Sequence, residues 1–376
     1  MALKILCCGH LVRHPLGGHS WHHLQYLVGL ARLGHEVVFM EHWGWPDSCY
    51  DPARDAMTSD ATYGLDYLRT LLGRHGLAGS WCYLAEDGRE HGMTREALAQ
   101  FCRECDLCLN LSNMNWIDEL MLCRRRALVD TDPVFTQIGV HGMAALDRYH
   151  ALFSFGENVH RAGSTMPTGH ASWQPTRQPV VLELWPVLPG DPEAPFTTVI
   201  NWSPMPDHRH NGRVYGQKSA QFEPFFCLPH DAGQPMRIAV NAPTEVCQRL
   251  KQGGWELADP LGITRDAGTY QEFVRSSRGE FCVAKHAYVV TRCGWFSDRS
   301  TAYLASGRPV VVEDTGFSDF LPCGRGLLAY RDREEALAAI QSVAADYPEH
   351  CRAARDLVAE HFDSRRVLTQ LLAESV

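Results

Sequence analysis

Residues 307–317, GRPVVVEDTGF, set two carboxylates, a threonine and a glycine directly behind a run of valines. β-Branched apolar residues between a Gly-Arg-Pro and an Asp-Thr-Gly read as a short parallel strand buried on both faces. Glu313 and Asp314 then stand at its carboxyl end, where open α/β sheets take their ligands. Carboxylates placed there accept hydrogen bonds from hydroxyls, and a sugar is the obvious hydroxyl-rich ligand. Asp and Gly are also ordinary turn formers, so a simple turn is the competing reading.

Just upstream, Ser297, Asp298, Arg299 and Ser300 fall at the start of a helix that Gly307 and Pro309 terminate. Free N–H groups, two hydroxyls and a guanidinium at a helix start make a phosphate cradle. The alternative is a plain cap with a surface ion pair. Two further cations follow strand ends in the same half of the chain. Gln217 and Lys218 precede an apparent helix in GRVYGQKSAQFEPF, and Lys285 closes FCVAK. Lysines after successive strand ends converge on one crevice, which suits a diphosphate.

Metal chemistry is not expected. Cys102, Cys105 and Cys108 have C-x2-C-x2-C spacing, with Cys123 as a conceivable fourth ligand for a cluster. The segment runs from an amphipathic helix straight into an apolar strand, which would point successive thiols in different directions. Fourteen cysteines without a secretion signal read as reduced, buried thiols. The nineteen histidines look scattered, and His22-His23 and His208-x-His210 lack a companion ligand at metal-site spacing, so most are read as surface or core-edge residues.

The elements that must position these groups alternate. KILCC, a loop GHLVRHPLGGH, a helix from about Ser20 to Leu33 and EVVFME form a βαβ start, with Ser20 as N-cap and Gly34 as stop. Strands at LCLNLS, ALVDTD and HALFSFG follow, separated by helical stretches IDELMLCRRR and HGMAALDRY. Six prolines between Trp173 and Phe196 mark a crossover. A second series has strands TTVINWS, MRIAVN, WELA, FCVAK and PVVVE, with helices including EVCQRLKQ, TYQEFVRSS, DRSTAYLAS and EEALAAIQSVAADY. The expected architecture is α/β, two Rossmann-like doubly wound domains facing each other across a cleft. The divisions are 1–175 (acceptor side), a Pro-rich linker 176–195, 196–355 (donor side), and a C-terminal helix 356–376 returning to the first domain. No membrane-length apolar run and no signal peptide are seen, so a cytoplasmic protein without integral membrane association is expected, as monomer or homodimer. A net charge of -9 with no dense Lys/Arg block argues against a nucleic-acid partner.

The glycine loop and GHEV of the first half, with helix, ASGRPVV and DTGF in the second, resemble the GT-B glycosyltransferases that use nucleotide sugars. The resemblance spans most of the chain as architecture, with its specific motifs in residues 1–42 and 285–325. It implies a metal-independent transferase that uses a nucleotide-diphosphate sugar as co-substrate, has no other cofactor, and acts on a small or carrier-bound acceptor. Gly17 and Gly18 would approach the donor phosphates, Gln217, Lys218, Lys285 and the 297–300 helix start would hold the diphosphate, and Glu313, Asp314, Thr315, Gly316 and Phe317 would face the sugar. One departure stands out: the two slots where many retaining members carry glutamates hold Gly294 and Ala302. For an inverting reaction His19, at the cleft mouth, is the candidate base, with Asp130, Asp132 or Glu157 to orient it or bind an acceptor hydroxyl. Capping and turn roles compete at each. The rival functions are a nucleotide-sugar epimerase or hydrolase on the same fold, or a non-catalytic nucleotide- or sugar-binding protein.

Overall fold

The computed structural model describes residues 2–139, 146–169 and 171–376. In the first lobe the strands lie in the order Trp173–Pro175, Ala151–Ser154, Arg125–Asp130, Leu107–Leu111, Lys4–Cys8, Glu36–His42, Trp81–Leu84 and Glu90–Gly92. Every neighbouring pair is parallel except the last. The second sheet is wholly parallel, in the order Glu256–Ala258, Met236–Asn241, Phe196–Asn201, Gly279–Cys282, Val310–Glu313 and Leu327–Tyr330. In each lobe the first strand sits inside the sheet, and the strand order reverses beside it. Such a switch point opens a crevice at the strands' carboxyl ends. The crevices open where residues 9–16 leave Cys8 and where residues 283–285 leave Cys282.

The valine run is the buried strand its composition implies: Val310, Val311 and Val312 are fully or almost fully buried, as is Glu313 at its end. The first helix differs in its start. It spans Gly17–Arg32 with Leu16 as an N-cap that lends no side-chain bond, and the Ser20 hydroxyl instead donates to the Leu16 carbonyl and meets Tyr67. Glycine is a poor helix former, but packing decides the start here. A Cβ at Gly17 would lie 2.2 Å from the Asp266 carbonyl oxygen of the second lobe. The segment IDELMLCRRR is only a five-residue 3-10 turn, Asp118–Leu122, because its last two arginines, Arg125 and Arg126, already belong to the strand Arg125–Asp130. Of HGMAALDRY, residues 141–145 lie outside the described residues, and Leu146–Arg148 form a 3-10 turn.

The two lobes are tied by two crossings that run side by side. The Val180 N–H donates to the Phe362 carbonyl at 2.8 Å, and the Ser364 N–H to the Val180 carbonyl at 2.9 Å. Beyond them the helix Ser364–Ser375 packs on Gly17–Arg32, and Arg125 Nε donates to the Ser375 carbonyl at 3.0 Å. Trp21 carries the apolar contact between lobes. Its ring lies 4.5 Å from that of Trp185, and its N–H donates to the Ala267 carbonyl at 2.8 Å. Among the described residues no helix is long and apolar enough to cross a membrane.

Candidate active site between the lobes

The carboxyl end of the second sheet gathers charge. Arg299, in the first turn of the helix Asp298–Ala305, inserts its guanidinium between strands: Nε donates to Glu280, Nη1 to the Val199 carbonyl at 2.6 Å, and Nη2 to Cys282 Sγ at 3.0 Å. Glu280 is fully buried on the strand Gly279–Cys282. Lys218 opens the 3-10 turn Lys218–Ala220 close by. Burial, then the repulsion of Arg299 and Lys285, lowers the Lys218 ammonium to about 8. Among the described residues no carboxylate forms an ion pair with it. Gln217 beside it is fully buried, and neither its amide oxygen nor its nitrogen has a partner. An orphaned buried amide costs about 1–3 kcal/mol, so such groups commonly await a ligand or water.

Two cavities adjoin this charge layer. One, of about 220 Å³, is lined by Gly18, His19, His22, Tyr270, Asp298 and Arg299, among others. The second, of about 190 Å³, is lined by His10, His19, His22, Ser112, Thr131, Phe155, Trp295 and Asp298. Asp298 serves both, lies 3.8 Å from His22 across the lobes, and has a side chain 45% exposed. Ser297 caps the helix by accepting the Arg299 N–H at 3.2 Å, and the hydroxyl of Ser300 is buried without a partner.

Glu313 joins the same neighbourhood but is already engaged. It accepts the Ala284 N–H at 2.9 Å and the Gln221 amide at 2.6 Å, and burial raises it to about 7. The next four residues do not face an open sugar site. Asp314 accepts from the Gly316 N–H at 2.9 Å, the Ser318 hydroxyl at 2.7 Å and Arg331 at 3.2 Å. Thr315 donates to the Trp295 carbonyl at 2.5 Å, and Phe317 is buried against Phe296. Gly316 has φ +96°, and a Cβ there would lie 2.5 Å from the Asn158 amide. The turn reading therefore holds for residues 314–317, in a buried turn that Asn158 of the first lobe locks by donating to the Gly316 carbonyl at 2.9 Å.

The first-lobe carboxylates are placed differently from their expected role. Asp132 receives Lys285 Nζ on both oxygens at 2.9 Å and the Tyr288 hydroxyl, so it ties the lobes together instead of orienting His19. Lys285 is thereby partly neutralised. Glu157 pairs with Arg177 at 2.6 Å beside another hollow, lined by His160, Arg161, His361 and Arg366. Asp130 is fully buried and accepts from Ser154 and Gln137. Gly17 and Gly18 give their room to Asp266 and Tyr270: a Cβ at Gly18 would meet the Tyr270 ring at 3.1 Å. The glycine pair thus permits close lobe packing.

Sequence reasoning missed two features. Glu280, a carboxylate inside the otherwise apolar GEFCVA, is the partner that fixes Arg299; its isolation among buried neighbours was the available signal. The histidines are not scattered, since His10, His14, His19, His22 and His23 form one cluster with ring centroids 4.2–6.4 Å apart in contacting pairs. Burial, then neighbouring imidazoles, holds His10 and His19 well below the usual histidine range. The slot held by Gly294 also has a tertiary reason: Gly294 has φ +80° and a Cβ there would lie 2.8 Å from the Asn158 backbone nitrogen. The cysteines Cys102, Cys105, Cys108 and Cys123 lie buried in an apolar cluster with Leu6, Val38 and Met40.

No protein-family model matches the sequence, and no curated protein does. Solved structures do resemble it along its whole length. An alpha-glucosyltransferase in complex with UDP-glucose and DNA containing an abasic site superposes with a TM-score of 0.58 at 10% identity, covering 98% of each chain. HepE of Anabaena in complex with UDP and glucose gives 0.57 at 12% identity, covering 99% of this chain and 98% of its own. The sucrose-phosphate synthase of Thermosynechococcus elongatus gives 0.53 at 12% identity, covering 98% and 97%. The first of these holds DNA, so the exclusion of nucleic acid partners drawn from net charge does not stand. Bulk charge averages over a surface, whereas an acceptor is held by a local patch. Two parallel lobes, a charge layer at the second sheet's carboxyl edge and full-length superposition lead to one conclusion: this chain has the GT-B fold of the nucleotide-sugar glycosyltransferases.

Proposed function

We propose that the chain is a glycosyltransferase that moves a sugar from a nucleotide-diphosphate sugar, with a uridine-diphosphate sugar as the first donor to test, to a hydroxyl-bearing acceptor. The observation that carries this is Lys218, an ammonium without a carboxylate partner among the described residues, held beside Arg299 and the orphaned Gln217 amide at the carboxyl edge of the second sheet. A diphosphate pairs with the ammonium and accepts from the Gln217 amide nitrogen. In the reaction the bond from the anomeric carbon to the diphosphate oxygen breaks with its electron pair on the leaving group, and the acceptor oxygen bonds to that carbon. Lys218, Arg299 and the helix start stabilise the departing charge, which is the kind of preorganised electrostatics that lowers such barriers. Asp298, exposed and lining both cavities, is placed to take the acceptor proton. The neighbours' UDP and UDP-glucose support the donor class. The DNA of one neighbour puts nucleic acid among the acceptors to be tried alongside small sugars.

Gly294 and Ala302 in the acidic slots favour one second reading, a nucleotide-binding protein that does not turn over. Calorimetry and thermal shift with UDP and UDP-glucose test binding, and release of UDP with and without acceptor tests turnover. Saturable binding with acceptor-dependent release is expected. Absence of both a heat and a thermal shift sinks the proposal, and binding without release selects the second reading.

A further inference from the structure

We propose that His10, His19 and His23 bind a divalent transition-metal ion of the zinc class, with one coordination position open to the cavity between the lobes. One ring nitrogen of each histidine lies within 4.8 Å of those of the other two. Bonds of about 2.0–2.1 Å to a common ion need the widest pair to close by no more than about 1.5 Å, within reach of small ring rotations. His23 Nδ1 lies 3.0 Å from the His19 carbonyl and so carries the proton, while its Nε2 accepts the His10 N–H at 3.3 Å, a long bond that an arriving ion displaces. A ligating histidine whose other nitrogen binds a backbone carbonyl is the usual second layer of a metal centre. His10 Nδ1 and His19 Nε2 are buried and have no hydrogen-bond partner.

The surrounding chain makes room for this arrangement. Gly9 leaves the space that the His23 ring occupies, since a Cβ there would lie 2.3 Å from that ring. Three neutral nitrogens suit zinc, cobalt, nickel or copper and not magnesium or calcium, which prefer oxygen. Three protein ligands with a vacant fourth position are the arrangement of catalytic sites, whereas structural sites close all four. The fourth position faces the cavity of about 190 Å³ with Ser112, Thr131 and Asp298, where a water, a hydroxyl or a phosphate oxygen completes the coordination. This extends the sequence reading, which took the histidines as scattered and the protein as metal-independent.

Cobalt(II) titrated into chelator-treated protein tests the site without reference to transfer activity. The expected result is one tightly bound equivalent with the visible bands of a four-coordinate ion, no thiolate charge-transfer band, and displacement by zinc. His10→Gln and His19→Gln should each weaken binding at least tenfold, on the order of what loss even of an outer partner costs. His14→Gln, which removes a ring of the same cluster but not a ligand, should leave it within about twofold. Absence of a bound equivalent in the parent protein, thiolate bands in its spectrum, or unchanged affinity in both ligand variants overturns the proposal. Should a variant unfold, the parent stoichiometry and spectrum still decide.

Discussion

Lys218 gives the sharpest prediction, because binding and stability should move in opposite directions. Its ammonium is lowered from 10.5 to about 8 in the fold, by burial first and then by Arg299. The charged form is therefore disfavoured in the folded chain relative to the unfolded one. That cost is fully present below pH 8 and is relieved as pH rises from 8 to 10.5, where the unfolded chain holds the proton longer. About 2.5 pH units at about 1.4 kcal/mol each give a cost of at most about 3.5 kcal/mol. Lys218→Met removes the charge while keeping an unbranched apolar stem. Near pH 7 the unliganded variant should be stabilised by up to about 3.5 kcal/mol. With an unfolding entropy of about 2.1 cal/mol/K per residue, this is a rise in melting temperature of about 4 °C. UDP binding should fall about 10- to 100-fold, the worth of one charge-assisted hydrogen bond of about 1.5–3 kcal/mol. In the parent protein UDP affinity should also decline as pH rises above 8, a decline the variant lacks. Differential scanning fluorimetry and calorimetry at pH 7 and 9 measure both. A variant that melts lower, or that binds UDP as the parent does, refutes the assignment of Lys218 as a strained, ligand-awaiting cation.

Two further substitutions probe the frame around it. Gly17→Ala should destabilise by about 1–3 kcal/mol, because its Cβ would press on the Asp266 carbonyl at 2.2 Å and the lobes must part; a denaturant titration that leaves stability unchanged contradicts that packing role. Glu280→Gln strands the Arg299 guanidinium without its buried partner and should cost about 3–5 kcal/mol, with guanidinium chloride melts reading the loss and a near-neutral result contradicting the ion pair as drawn.

Much of the architecture is written locally. The valines 310–312 and the Gly and Pro that bound them force a buried strand whatever surrounds it, because no other element buries both faces of so short a run. Alternation of such strands with amphipathic helices dictates two doubly wound sheets and places Lys218, Lys285 and Arg299 after strand ends of one sheet. What each charged group does there depends on partners far along the chain. Asp132 could be read as a hydrogen-bond acceptor for an acceptor hydroxyl until Lys285 and Tyr288, more than 150 residues away, occupied it. Arg299 looked free until Glu280 came beneath it. The glycine pair at 17 and 18 reads identically whether it admits a phosphate or the Asp266 backbone. His19 and His23 stand four residues apart and share one face of the first helix, a pairing the 3.6-residue period does encode. His10 comes from the loop before that helix, and only the folded chain brings it to them. Composition and periodicity thus determine which elements form and which end of the sheet is polar. Tertiary closure alone decides which charges remain unpaired, because a charge is spent or free only once its neighbours across the lobes are in place.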